Sequence, residues 1–404
     1  MRERAEASKT HEGISPEVAA KRFADFIPRR WLRNGHLQTL AGNFLPRRLA
    51  LPEPELLLVE VDGPVAGYGP SQVLCHCHWQ PEAVRRERLT VVLVHGLEGS
   101  SSSKYILGNT ARALAAGMNV VRMNMRSCGG TDDLSPTIYH SGRSDDVGRV
   151  VEAIVREQGV EAVALVGYSM GGNLVLRWTG QQGSAVPRQL RAVVGVSPLM
   201  DLAVSSAALH RPQNRLYEQH FLRAMLARIR RRIAMYPRIY ADARVEKIRS
   251  MRDFDGEIVA RYGGFRDADD YYDSVASAHY AGALRVPTLI VHSVDDPFIV
   301  MRPETRAALL ANPHVTLLET QHGGHCAFLT DPDLRTREGK DDRIHPSVKP
   351  GQSHSTPPAD GVAEARLWGT QADDDGRWAE RTLLRFLLQH GNGPHRTREA
   401  GNGS

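Results

Sequence analysis

Ala162-Val163-Ala164-Leu165-Val166-Gly167-Tyr168-Ser169-Met170-Gly171-Gly172 joins a short apolar run to a serine set among glycines. Five apolar residues in succession suit a strand buried on both faces of a parallel sheet. The Gly-x-Ser-x-Gly pattern at 167–171 then predicts a sharp strand-to-helix turn, with helical spacing continuing through Trp178. Such a turn lifts a serine hydroxyl to the edge of the sheet, where the free N–H groups of a helix start favour negative charge.

The same alternation extends to both sides. Upstream lie the apolar runs Leu89 to Val94 and Asn119 to Met125, with helical spacing from Ile106 to Leu114 and from Ser144 to Glu157. Downstream, Leu190 to Val196 is a further strand, ended by Ser197-Pro198. Strand and helix therefore alternate over 89–200, the signature of an α/β fold built on a mainly parallel, doubly wound sheet. The pattern breaks over 201–281, which is helical, Arg-rich and Tyr-rich and reads as a helical cap inserted between two strands. The sheet resumes at Pro287 to His292 and at Val315 to Glu319. Leu56 to Val61 and Val73 to Trp79 are strands that precede the parallel part, and an amphipathic helix near Trp378 to Leu388 closes the domain.

The expected organisation is a disordered N-terminus (1–21), an ordered arm (22–54) and one domain (55–390) holding the cap (201–281) and a flexible polar insert (331–362). A disordered tail follows (391–404). The insert carries too few apolar residues to offset its ordering entropy.

The chain has 404 residues, of which 41% are hydrophobic and 24% charged, an ordinary globular composition. A net charge of +5 without a basic motif argues against nucleic-acid binding. Four cysteines are too few for a disulfide scaffold. The charged N-terminus lacks the apolar stretch of a signal peptide, and no apolar run approaches the roughly 20 residues of a membrane span. These features lead to the expectation of a cytoplasmic location with reduced thiols. They set no oligomeric state.

A serine becomes a good nucleophile when a base takes its proton, and acyl transfer needs donors placed in advance for an oxyanion. Ser169 is the candidate nucleophile. The backbone N–H of Met170, next in the chain, is one candidate oxyanion donor. Leu97 supplies the other, because His95-Gly96-Leu97 ends the strand at 89–94. Chain order then calls for an acid and a base on loops after late strands. Asp296 is preferred as the acid over its neighbour Asp295, with Asp201 a weaker alternative. His325, flanked by glycines, is preferred as the base over His322. This chemistry requires no cofactor.

Other residues favour plainer readings. Cys75-His76-Cys77-His78 suggests a metal site, but on a strand the cysteines share one face and the histidines the other, so no metal is assigned. Cys326 reads as a small core residue. Arg223, Arg228, Arg230, Arg231 and Arg232 read as the solvated basic face of an amphipathic helix whose apolar face packs over the site. Asn34 and His36 read as polar anchors of the arm.

Taken together, Arg33-Asn34-Gly35-His36-Leu37-Gln38-Thr39, His95-Gly96-Leu97-Glu98-Gly99, Tyr139-His140-Ser141-Gly142, Gly167-Tyr168-Ser169-Met170-Gly171-Gly172-Asn173, Tyr271-Tyr272, Asp295-Asp296-Pro297-Phe298 and His322-Gly323-Gly324-His325 resemble the YheT-like α/β-hydrolases. Eukaryotic relatives of that family include lipid-active α/β-hydrolase domain proteins. The resemblance spans about residues 22–330 and the last helix. It implies an α/β-hydrolase fold and carboxylic-ester hydrolysis, with a triad mapping onto Ser169, Asp296 and His325. The expected partner is a small-molecule ester or lipid, which leaves room for peripheral membrane contact. Thioesterase or acyltransferase chemistry would use the same acyl-enzyme, and an inactive binding protein is the alternative of a different class. The polar insert at 331–362 is longer than the family usually shows.

Overall fold

A computed structural model describes residues 26–47, 49–331 and 375–391 of the chain. The N-terminus expected to be disordered (1–21) and nearly all of the polar insert and the tail lie outside the described residues.

Eight strands form one sheet: β1 (Glu55–Asp62), β2 (Ser71–His78), β3 (Thr90–Val94), β4 (Asn119–Met123), β5 (Val163–Tyr168), β6 (Leu190–Val196), β7 (Thr288–Ser293) and β8 (Val315–Thr320). Their spatial order is β1-β2-β4-β3-β5-β6-β7-β8. β1 and β2 pair antiparallel, β2 meets β4 antiparallel, and every later pairing is parallel. The apolar runs of the sequence become β3 to β7, each buried along its length apart from Arg191 of β6.

Strand alternation sorts these runs into two cores. Val92, Val94, Val163 and Leu165 face one layer; Val91, Leu93, Ala164 and Val166 face the other. Helices of eight residues or more are α1 (Gly35–Phe44), α2 (Lys104–Ala115), α3 (Asp145–Gln158), α4 (Met170–Gln182), α5 (Leu202–Leu209), α6 (Arg215–Met235), α7 (Ala268–Val275), α8 (Pro303–Leu310) and α9 (Trp378–Gly391). Val147, Val150 and Ile154 of α3, with Leu174 and Trp178 of α4, fill the first layer. Ile106 of α2, with Leu383, Phe386 and Leu387 of α9, fills the second. Each such side chain, fully buried, contributes about 1.5–3 kcal/mol.

Between β6 and β7 the described residues form helices and no strand. They build a third apolar cluster around Leu222, Met225, Ile229, Tyr240, Phe254, Tyr271 and Tyr272. The arginines of α6 depart from the expected solvated face. Arg232 is fully buried, donates to the Ser135 carbonyl at 2.6 Å and lies over the rings of Tyr236 and Tyr240. Arg228 is largely buried too, whereas Arg223, Arg230 and Arg231 are exposed. The reason is that polar groups of the segments after β3 and β4, Glu98, Ser127 and Ser135, reach the Arg228 and Arg232 side chains. Among the described residues no helix is long and apolar enough to cross a membrane.

Candidate active site

β5 ends at Tyr168 and α4 starts at Met170, leaving Ser169 alone in the turn with φ 54° and ψ −118°. This is a conformation that side-chain-bearing residues rarely adopt, and neighbouring contacts hold it. The Ser169 N–H donates to the Val196 carbonyl at 2.9 Å, and the Ser169 carbonyl accepts from Asn173 and Leu199, both at 3.1 Å. Gly171 allows the tight approach behind it, since a Cβ there would run into the carbonyls of Val94 and His95. Ser169 itself is half-buried and faces a pocket.

The loop after β3 reaches the same spot, where a Cβ on Gly96 would lie 3.1 Å from Ser169 Cβ. Its amides are used in a telling way. The Gly96 N–H donates to the Tyr105 hydroxyl at 2.9 Å, and the Glu98 N–H points to that of Tyr139 at 3.4 Å. Among the described residues the Leu97 amide between them has no protein acceptor. Met170, as first residue of α4, likewise has none within its helix. Leu97 and Met170 both line the pocket that Ser169 faces. Buried His95 braces the loop: its Nδ1 faces the Gly96 carbonyl at 2.8 Å and its Nε2 accepts the Met125 N–H at 3.1 Å. Burial pushes its imidazole down to about 4, so it stays neutral at physiological pH.

Glu98 ties this loop to α6. Arg228 grips both carboxylate oxygens at 3.1 Å, the Tyr139 hydroxyl donates to one of them at 2.6 Å, and Arg228 also donates to the Ser127 carbonyl. The clamp sets where the Leu97 amide points. Arg228→Met is therefore expected to lower kcat on short esters by about tenfold to a hundredfold, with a smaller change in KM. Steady-state kinetics on a variant verified as folded would check this, and an unchanged kcat would remove the positioning role.

Asp296 and His325 are brought together directly, with His325 Nδ1 2.8 Å from Asp296 Oδ2. The other carboxylate oxygen accepts the N–H groups of Phe298 at 3.1 Å and Ile299 at 2.9 Å. Burial opposes the Asp296 charge, but His325 and these amides hold the carboxyl below its ordinary value. Burial likewise opposes the imidazolium. The adjacent Cys326 sulfur and the Asp296 carboxylate outweigh it, so the His325 pKa is raised.

The rival candidates point elsewhere. Asp295 accepts from Ser293 Oγ and from the Gly324 N–H at 2.9 Å, and lies 3.4 Å from His322. Asp201 is occupied by the Arg302 N–H and Thr305 Oγ1.

Cys326, read as a small core residue, packs against the second core layer from its edge. It is half-buried with a left-handed backbone, and its sulfur lies 3.5 Å from His325 Nε2. His325 Nε2 thus faces Cys326 Sγ rather than Ser169 Oγ. The serine turn and the histidine loop still meet at one atom, the Val196 carbonyl oxygen. It accepts both the Ser169 N–H and, at 3.8 Å, the Cys326 S–H.

The arm holds the acid and histidine loops in place. Asn34 caps α1 by accepting the His36 and Leu37 N–H groups, and His36 stacks on Tyr217. One turn on, Thr39 Oγ1 accepts the His325 N–H at 2.9 Å, and fully buried Gln38 bonds both ways with the Leu329 backbone. Gln38 and Thr39 stand in the stretch 33–39 that carries the family resemblance, but the sequence pattern assigns neither a contact. A Cβ on Gly35 would run into the Asp295 carbonyl. Gly35→Ala is accordingly expected to push α1 off the acid loop, costing about 1–3 kcal/mol of stability and at least tenfold in kcat/KM. Thermal melts read beside ester kinetics would measure both losses, and a fully active, equally stable variant would contradict them.

The pocket encloses about 780 Å³, part of it open to solvent. Its walls are mainly apolar, with Leu97, Leu199, Leu202, Leu209, Met225 and Phe298 among them. On β2, away from this site, Cys75 and Cys77 are buried in the first core layer, while Arg122 donates to His78 on the other face.

The family model described as alpha/beta hydrolase fold matches residues 90–332. The chain is 31% identical to YheT of Escherichia coli (strain K12) over 327 residues, 80% of this chain and 92% of that one. It is 26% identical to the phospholipase ABHD3 of Homo sapiens, over 75% of this chain and 73% of that one. To the monoacylglycerol lipase of Saccharomyces cerevisiae it is 22% identical, over 60% of this chain and 55% of that one.

Proposed function

From the premise that this chain belongs to the α/β-hydrolase fold family, we propose that it hydrolyses carboxylic esters through an acyl-enzyme on Ser169. The observation that carries the reading is the Asp296–His325 pair at 2.8 Å. His325 packs against Phe298, and Phe298 lines the same mainly apolar pocket as the strained Ser169, Leu97 and Met170.

In the proposed cycle the Cys326 side chain yields Nε2 to the Ser169 hydroxyl when substrate seats, since catalytic hydrogen bonds often tighten only in the loaded enzyme. His325 takes the Ser169 proton as Oγ attacks the acyl carbon. The carbonyl oxygen gains the negative charge and meets the Leu97 and Met170 N–H groups. The tetrahedral intermediate collapses, the C–O bond to the alcohol breaks, and His325 hands its proton to the departing oxygen. Water then attacks the acyl-enzyme with His325 as base again, which frees the carboxylic acid and restores Ser169. Asp296 keeps the Nδ1–H tautomer and offsets the imidazolium charge throughout.

Apolar pocket walls and the lipid-directed names of two relatives support esters with hydrocarbon limbs as substrates. The test is fluorophosphonate labelling together with a p-nitrophenyl ester series of increasing acyl length. Label on Ser169 and turnover of the esters are the expected results. A folded protein that neither takes the label nor cleaves any ester would be a binding protein instead.

A further inference from the structure

The pocket that Ser169 faces contains one carboxyl group, that of Asp255. It begins a π-helical turn (Asp255–Ala260) and lies deep in the protein, yet it is only half-buried because part of its surface opens on the pocket. A one-way chain of hydrogen bonds ends on it. Ser206 Oγ donates to the Tyr272 hydroxyl at 2.9 Å, and Tyr272 donates to Asp255 Oδ2 at 2.7 Å. Each hydroxyl proton is thereby committed. Among the described residues no protein donor reaches the other carboxylate oxygen. Apart from Ser169 Oγ and the Leu97 and Met170 amides, which belong to the proposed catalytic centre, the unpartnered polar atoms His140 Nε2 and Ser141 Oγ of the wall are covered by protein. An uncovered acceptor in a mainly apolar chamber costs free energy unless something pairs with it.

We propose that the open oxygen of Asp255 is the anchor for a hydroxyl group carried by whichever limb of the ester enters this pocket. The proposal rests on the reading of Ser169 as the nucleophile. A hydroxyl is the group that matches, because it can donate to a carboxylate or accept from a carboxylic acid. Burial raises the Asp255 carboxyl to about 7, so both forms are present near neutral pH. A carbonyl could serve only the acid and an ammonium only the carboxylate. The hydrocarbon part of the same limb would lie against Leu202, Leu209, Met251 and Val259.

The test compares esters of equal length. One set is unsubstituted, one carries a hydroxyl at successive positions of the acyl limb, one carries it on the alcohol limb, and one carries a trimethylammonium group. Expected for the wild-type chain is a kcat/KM about tenfold to a hundredfold higher for one hydroxylated series than for its unsubstituted match. The series that wins identifies the limb. Asp255→Leu should abolish the preference and Tyr272→Phe should weaken it. Should Asp255→Leu fail to fold, Asp255→Asn, which loses the acceptor of a charged carboxylate without changing shape, should still compress the ratio.

Fluorophosphonate labelling of each variant separates the two readings. No label and no turnover in the wild type would sink the Ser169 reading. Normal labelling with no hydroxyl preference, or with a preference that survives Asp255→Leu, would sink this one alone. A trimethylammonium ester as the favoured substrate would replace the hydroxyl anchor with a cation site.

Discussion

Ser169→Ala is expected to lower kcat on p-nitrophenyl esters by roughly 10⁵–10⁶-fold while KM changes little. The loss is large because one atom is removed on which the whole proposed cycle depends. His325 then has no hydroxyl to activate, and Asp296 no imidazolium to offset, so the three groups fail together rather than in part. A residual rate above that in water should persist, since the Leu97 and Met170 amides still face the acyl oxygen. Folding should be nearly unaffected. Alanine keeps a Cβ and so carries the same strain at φ 54° as serine. Ser169→Gly should also be inactive but should stabilise the chain by about 1 kcal/mol, because glycine accepts positive φ freely. Steady-state kinetics and melting curves of the pair test both halves. Ester turnover by Ser169→Ala within tenfold of the wild type would end the nucleophile assignment.

Asp296→Asn is expected to cost about 10⁴-fold in kcat with the backbone unmoved. The reason is visible in how the carboxylate is held. One oxygen accepts the Phe298 and Ile299 N–H groups, so the asparagine must keep its carbonyl oxygen there. Its NH₂ then occupies the position now 2.8 Å from His325 Nδ1. A donor at that point forces the imidazole to carry its proton on Nε2, the nitrogen that must accept one from Ser169.

The pH profile gives a second readout of this variant. The base works when neutral, so kcat/KM rises with pH through the His325 pKa. That pKa is raised above its ordinary 6.5, which places the acid limb of the wild type on the alkaline side of that value. Removing the carboxylate should move the limb down. The stability linkage has matching signs. The raised His325 contributes stability that is complete below 6.5 and is lost as pH rises through its folded value. The depressed Asp296 contributes above 3.8 and loses its share as pH falls through its own folded value. An acid limb that stays in place in Asp296→Asn would show that the carboxylate does not govern the imidazole.

Short-range patterns carry the part of the fold that is legible along the chain. Fully buried strands must be apolar on both faces, so β3 to β7 stand out as runs of Val, Leu, Ile and Ala. The turn at 167–171 declares itself because its backbone needs glycines at fixed spacing. Chain order narrowed the acid and base to near neighbours, with Asp201 a weaker alternative, and local pattern favoured Asp296 and His325 without the contact that separates them from their neighbours. Asp295 and Asp296 differ in which one faces a ring 29 residues away.

The remaining features needed the packed fold, because the contacts that settle them are remote in the chain. Arg228 and Arg232 look like a solvated stripe until partners 130 and 97 residues distant cover them. Thr39 holds the His325 backbone across 286 residues. Whether a polar side chain is solvated or buried depends on what folds over it, and that is a property of packing rather than of its neighbours in sequence.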